Sequence, residues 1–171
     1  MTTSVYAYEH LHGRTYHAYH AGSYFLPNDE AEQDRMDIKY HAVRLAINDK
    51  PFYAPVSQPQ AILDVGTGTG IWAIDVADAF PEALVIGTDL SPIQPNHVPP
   101  NLSFEIADSD DEWTFRQRFD LVHCRIMNDF TLKSWPHCFG QAFRSLRPGG
   151  WVECQEFDHN RRSDDNSYST R

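Results

Sequence analysis

The segment Ile62-Leu63-Asp64-Val65-Gly66-Thr67-Gly68-Thr69-Gly70 constrains this chain more than any other. A short apolar run ends, glycine then recurs at alternate positions, and an apolar stretch of helical character begins at once at Ile71. Glycine reaches backbone angles that other residues avoid and puts no side chain between backbone and ligand. The first N–H groups of the following helix have no intrahelical partner and face the crevice beyond the strand. In an open α/β sheet that crevice, outside the carboxyl ends of the strands, is where ligands bind.

The spacing narrows the ligand. The dinucleotide pattern G-x-G-x-x-G is not met, because Gly70 comes one position early, and no Lys-Ser or Lys-Thr closes the segment as a P-loop requires. A second apolar run, Leu84–Thr88, ends at Asp89, about twenty residues past the turn, where an acid accepts hydrogen bonds from both ribose hydroxyls of an adenosine. Asp64, just ahead of Gly66, is placed to hold an ammonium group directly or through water. A pyrophosphate asks for dense backbone donors, whereas S-adenosylmethionine (SAM) has an amino-acid end bearing an ammonium. The segment therefore points to SAM, with a dinucleotide as the weaker alternative. A third apolar run ends at Ala107-Asp108, which places Asp108 to meet the exocyclic amine of adenine; Asp110, Asp111 and Glu112 read as solvated surface charge.

Around this turn the chain predicts alternating strands and helices. Ala61–Val65, Leu84–Thr88, Leu102–Ile106, Phe119–Cys124 and Trp151–Phe157 read as strands, Ile71–Phe80 and Trp135–Leu146 as helices. Short apolar strands alternating with helix-length connections predict a doubly wound, mostly parallel α/β sheet of about five strands over residues 61–159. Upstream, residues 1–27 are rich in Tyr, His and Gly without a period and read as an irregular arm, either a mobile terminus or a cap over a ligand using Tyr16, Tyr19, Tyr24 and Phe25. Residues 28–60 read as a helix and a linker with Pro51, Pro55 and Pro59. Asp29 and Glu32 have the spacing of a capping box, and Met36, Tyr40, Val43 and Ile47 give the helix one apolar face. Residues 160–171 are polar and without period, as in a disordered tail.

Charge and cysteine usage exclude several functions. A formal charge of −10 without a basic run opposes nucleic acid or an anionic membrane as the main partner. Cys124, Cys138 and Cys154 are far apart and form no C-x-x-C pair, which suits a reducing compartment and idle thiols. With no signal sequence and no apolar run of membrane-spanning length, a soluble protein of cytoplasm or nucleus is expected. His10, His12, His17 and His20 lack Cys partners and helical ligand spacing, so they read as a solvated arm and no metal site is expected.

Several longer runs carry a family resemblance. They are Tyr24-Phe25-Leu26-Pro27-Asn28-Asp29-Glu30 with Gln33-Asp34-Arg35, the Asp64–Ala73 run, Ile86–Pro95 with its Ser91-Pro92-Ile93-Gln94-Pro95 core, Pro99-Pro100-Asn101, Trp113-Thr114-Phe115, and Leu146–Glu153. From Gly13 to Asp158 the chain resembles the LaeA-like fungal methyltransferases. The resemblance implies a class I, Rossmann-like fold with sheet order 3-2-1-4-5 and an N-terminal helical cap, SAM as cofactor, and a setting in fungal secondary metabolism. Members act as regulators partnered with velvet-type proteins or as tailoring enzymes of one pathway. Carried over by position, Asp64, Gly66, Gly68 and Gly70 line the methionine side of SAM, Asp89 its ribose and Asp108 its adenine, with Tyr24 as a lid. The class I sheet has seven strands, and the chain ends soon after its fifth, so strands six and seven are expected to be missing. The fifth strand, with Trp151-Val152-Glu153-Cys154, would then be an edge able to pair with a protein partner or a second copy.

Methyl transfer needs the acceptor and the methyl group held close and in line, and a general base only when the acceptor is protonated. His123, Arg125, Asn128 and Asp129 follow the fourth strand, but His123 reads as a hydrogen-bonded core histidine and no catalytic base is assigned. A small-molecule acceptor is the expected substrate; a non-catalytic module that keeps the SAM pocket and works through a partner is the alternative.

Overall fold

The computed structural model describes the chain except residues 1–4, 128–133, 159, 161, 162, 164, 166 and 168–171. From the amino end run strands β1 (Glu9–Leu11) and β2 (Arg14–Tyr16), helix α1 (Glu30–Ala46), strand β3 (Ala61–Val65), helix α2 (Ile71–Ala79), and strands β4 (Leu84–Asp89), β5 (Leu102–Ile106) and β6 (Phe119–Arg125). Helix α3 (Trp135–Ser145) and strand β7 (Leu146–Gln155) follow. Asn128, Asp129 and most of the tail expected at 160–171 lie outside the described residues.

The main sheet has the order β5-β4-β3-β6-β7 and is parallel throughout, which is the expected 3-2-1-4-5 arrangement. Central β3 is buried at every residue, because a parallel strand is covered on both faces. Alternation along the strand sends Ile62 into a cluster with Trp72, Val76, Val85 and Leu121, and Leu63 and Val65 into one with Ile86, Phe119, Val122 and Ala142. Asp64 and His123 are paired across β3 and β6, on the Trp72 side. Among the described residues no helix is long and apolar enough to cross a membrane.

Four expectations change. The described residues hold seven strands, five in the main sheet and two in a hairpin, so a strand count two short of seven is off. The arm read as irregular contains that hairpin, β1 against β2. His12 (φ 50°) and Gly13 (φ 78°) turn it, both left-handed, as a two-residue turn matched to strand twist requires. Strand β7 starts at Leu146 and ends at Gln155, rather than Trp151 to Phe157. Leu146 already pairs with Phe119, and the Pro148-Gly149-Gly150 stretch is absorbed as an irregularity before Leu121 pairs with Trp151.

The fourth concerns α1. Asp29 caps it by accepting from the Glu32 backbone N–H at 3.1 Å, but Glu32 does not reach back. Its carboxylate takes the fork of Arg35 at 2.6 and 2.9 Å, two charge-assisted bonds that outweigh one backbone amide. Of the apolar face, Tyr40 is buried and Met36, Val43 and Ile47 are half-buried, Ile47 serving as the C-cap. The Tyr40 hydroxyl donates to Asp75 of α2, and Arg44 bonds both at 2.7 and 2.8 Å, which fixes α1 against α2.

Candidate functional site

The carboxyl ends of β3, β4 and β6 meet α1 around one cleft, and Tyr24, Asp64, Gly66, Gly68 and Asp89 all line it. Gly70 and Asp108 are not among its lining residues. All three glycines of the turn are left-handed, with φ of 69°, 60° and 83° for Gly66, Gly68 and Gly70. A Cβ on Gly66 would run into Met127, and one on Gly70 into the Phe104 ring. These two glycines therefore serve backbone angle and internal packing. At Gly68 the nearest atom to such a Cβ is Met36 Sδ, at 3.4 Å, across the cleft on α1.

Asp89 braces the turn. Its Oδ2 accepts from Gly68 N and its Oδ1 from Ser91 N, both at 2.9 Å. Desolvation pushes its pKa up to about 6 against the backbone hydrogen bonds of Ser91, Gly68 and Leu90, and the charge of Asp64 adds to the rise. Gln94 Nε2 donates to Gly68 O at 2.6 Å and Ser91 O at 2.9 Å, so the Ser91-Pro92-Ile93-Gln94 segment clamps the turn from the β4 side. On the other side Thr69 Oγ1 donates to Asp37 of α1 at 2.6 Å.

Asp64 is buried beneath the turn. Thr67 Oγ1 donates to its Oδ2 at 2.6 Å, and His123 Nδ1 lies 2.8 Å from its Oδ1. The His123 ring stacks on Trp72 at 3.7 Å with the planes 6° apart, in keeping with a core histidine. Beyond it, Arg125 lays its guanidinium over the Tyr40 ring at 4.9 Å, and desolvation lowers its pKa. Tyr24 closes the cleft from the arm side; burial, with the charges of Glu32 and Asp89, pushes its hydroxyl up to about 12 and keeps it a neutral donor.

Asp108 faces a second cavity, lined also by Tyr19, Asp111 and Trp113, while Ala107 and Ser109 on either side of it line the cleft. Its Oδ2 lies 2.9 Å from His20 Nδ1, and its Oδ1 accepts from Asp110 N at 3.0 Å. The solvated-arm reading of the histidines is corrected here. His17 is only 1% exposed, and His20 stacks on Tyr19 and joins Asp108 and Asp111 in a group whose ligand-type atoms lie within 4.8 Å. His10 and His12 are exposed.

Sequence reasoning passed over the α1 residues Arg35, Met36 and Lys39, which line the cleft, and Gln94, which holds the turn. The helical spacing of Met36 and Tyr40 was the available signal for the first group. Gln94 had only its place in a distinctive segment.

Comparison with known proteins agrees with this geometry. A family model described as a methyltransferase domain matches residues 23–169. Methyltransferase pytC of Aspergillus terreus (strain NIH 2624 / FGSC A1156) is 49% identical over 158 residues, covering 91% of this chain and 48% of that protein. Secondary metabolism regulator laeA of Aspergillus fumigatus is 45% identical over 158 residues, covering 91% of this chain and 42% of that one. The chain thus spans less than half the length of these curated relatives. Among solved structures it resembles phosphoethanolamine N-methyltransferase 2 of Haemonchus contortus in complex with S-adenosyl-L-methionine, at 25% identity and a TM-score of 0.53, over 72% of this chain and 30% of that chain.

Proposed function

Since the chain belongs to the methyltransferase-domain family, with SAM as cofactor, we propose that it is the cofactor-holding part of a methyltransferase that modifies a small-molecule acceptor in fungal secondary metabolism. The observation that carries this reading is Asp89, held at the carboxyl end of β4 by the Gly68 and Ser91 amides with its carboxylate in the cleft. Carboxylate oxygens accept more than one hydrogen bond each, so Asp89 keeps capacity for two ribose hydroxyls. Gly66 and Gly68 border the methionine side and Ala107 and Ser109 the adenine side, with Asp108 behind them as the acid for the adenine amine.

When bound, the cofactor supplies an electrophilic methyl group. The chain's task is to fix that group and keep water from it, and Tyr24, Met36 and Met127 give the cleft an aromatic and thioether cover. The test is titration of the purified chain with S-adenosylhomocysteine (SAH), followed by transfer of labelled methyl from SAM to candidate acceptors. Micromolar SAH binding that is lost in Asp89→Ala supports the reading; wild-type and Asp89→Ala chains that bind alike overturn it.

A second reading, a regulatory module that keeps the pocket and acts through a protein partner in cytoplasm or nucleus, is favoured by the likeness to the regulator laeA. The β7 edge suits a protein partner or a second copy, since Trp151 there is 47% exposed and Phe143 of the neighbouring α3 is 81% exposed. A stable partner captured equally by wild type and Asp89→Ala, without methyl transfer, decides for this reading. Sedimentation of the chain beside Trp151→Lys separates self-association from a foreign partner.

A further inference from the structure

Three buried polar atoms on β6 and β7 have no hydrogen-bond partner: Arg125 Nη1 and His123 Nε2, whose residues line the cleft, and Gln155 Oε1, whose residue stands behind them. They are neighbours by register. Arg125 of β6 pairs with Gln155 of β7, and His123 lies two positions back on the same face. Each such atom costs free energy when buried unpaired, and polar groups in a protein interior are almost always satisfied. Three on one patch, a cationic donor, an amide acceptor and an imidazole, describe a surface built to meet a ligand that is both anionic and hydrogen-donating.

The charges of the cleft say which part of the ligand belongs there. Arg35 spends its fork on Glu32, and the Lys39 ammonium sits 5.3 Å over the Phe157 ring. Arg125 makes no ion pair with a carboxylate among the described residues. The acids Asp64 and Asp89, by contrast, both line the cleft. They suit an ammonium and ribose hydroxyls but repel a carboxylate, and a zwitterionic amino acid has one. Sheet order sets the direction: β5 and β4 carry the adenine and ribose side, β3 the glycine turn, and β6 comes next.

Resting on the SAM reading, we propose that Arg125 forms the subsite for the carboxylate of the cofactor's amino-acid head group, with Gln155 as its positioning neighbour on β7. The carboxylate docks on Arg125 Nη1, and the ammonium lies toward the Asp64 side of the cleft. Tyr40 acts as the platform that orients the guanidinium, itself fixed by Asp75 and Arg44.

The test compares SAH with 5′-methylthioadenosine, which has the same nucleoside and no amino-acid end, by calorimetric titration of the full chain. Arg125→Gln is expected to weaken SAH by about thirtyfold or more and to leave methylthioadenosine unchanged. Arg125→Lys, which keeps the charge without the fork, should recover part of the loss. Gln155→Leu, which acts through its register neighbour Arg125, should weaken SAH alone and to a smaller degree, and it carries the test should Arg125→Gln fail to fold. Unchanged SAH affinity in Arg125→Gln overturns the proposal and leaves the arginine for a carboxylate on the acceptor. Equal losses of both ligands also overturn it, by making Arg125 a packing residue. A wild-type chain that binds neither ligand refutes the cofactor reading itself, a result distinct from either of these.

Discussion

His123 and Asp64 face each other from adjacent strands at 2.8 Å, both buried, the imidazole stacked on Trp72 and the carboxylate also taking the hydroxyl of Thr67. The pair welds β3 to β6 directly beneath the glycine turn. Removing the imidazole leaves Asp64 with Thr67 as its side-chain partner and one buried oxygen unsatisfied, which costs about 1–3 kcal/mol. His123→Leu is therefore expected to lower unfolding stability by about that amount, read from urea denaturation. His123→Asn, which retains a donor near the Nδ1 position, should lose less. Equal stabilities of His123→Leu and wild type would mean that Asp64 finds its hydrogen bonds elsewhere.

Asp89 gives the site a pH dependence whose sign follows from its raised pKa. Desolvation lifts the folded-state value from 3.8 to about 6. The folded chain thus holds this proton more tightly than the unfolded chain does. The stability that protonation contributes is fully present below 3.8 and is lost as pH rises through about 6. In the proposed cofactor site the ribose hydroxyls donate to the ionised carboxylate, so ligand affinity runs the other way. SAH binding is expected to be constant above neutrality and to fall by up to about tenfold per pH unit below the Asp89 pKa. Titrations between about pH 5 and pH 8 check this, with Asp89→Asn expected to be weak and flat over the same range.

The glycine turn separates two reasons for glycine. At Gly70 the backbone is left-handed and a Cβ would also strike Phe104; at Gly68 the backbone is left-handed but the nearest contact is an ordinary 3.4 Å to Met36. Gly68→Ala is expected to cost about 1–2 kcal/mol of backbone strain, and Gly70→Ala more, up to about 3 kcal/mol. In a Phe104→Ala background the additional loss at Gly70 should shrink while the loss at Gly68 does not, a non-additivity that a double-mutant cycle measures. Additive losses at both positions would show that the Phe104 ring yields without cost.

The parts legible in the sequence were those written in local pattern. Apolar runs placed all five sheet strands, and the turn with Asp89 placed the cleft, because both signals lie within a few residues of their cause. The hairpin was missed because its turn is His12-Gly13 rather than the Asn-Gly or Asp-Gly pair that signals such a turn in a sequence. The start of β7 was missed because Pro148, Gly149 and Gly150 read locally as a break, whereas pairing of Leu146 with Phe119 carries the strand through them. Arg125 and Gln155 lie thirty residues apart in the chain and gain meaning only as register partners. The thiols show the same limit: Cys124 and Cys154, read as distant and idle, sit with Sγ atoms 3.0 Å apart on paired strands. The hydrogen bond between them, together with burial, raises the Cys124 pKa, and the same bond lowers that of Cys154 against the effect of burial.

The arm meets the end of β5 at Asp108, which faces the second cavity and whose carboxylate His20 engages at 2.9 Å. Holding the arm down and the proposed role of accepting the adenine amine are separable in this acid by two variants. His20→Ala and Asp108→Ala both release the arm at this point, leaving it tied through Arg14 to Asp29 and through Tyr8 to Pro92. Cleavage after Arg14 by trypsin is therefore expected to quicken in both, since proteolysis tracks local opening. For SAH the two should diverge: Asp108→Ala loses an acceptor for adenine and weakens binding by about tenfold, whereas His20→Ala keeps the acid and stays close to wild type. Should both variants bind SAH as wild type does while the arm is cut faster, Asp108 is a latch for the arm, and the adenine is recognised by the Ala107 and Ser109 side of the cleft alone.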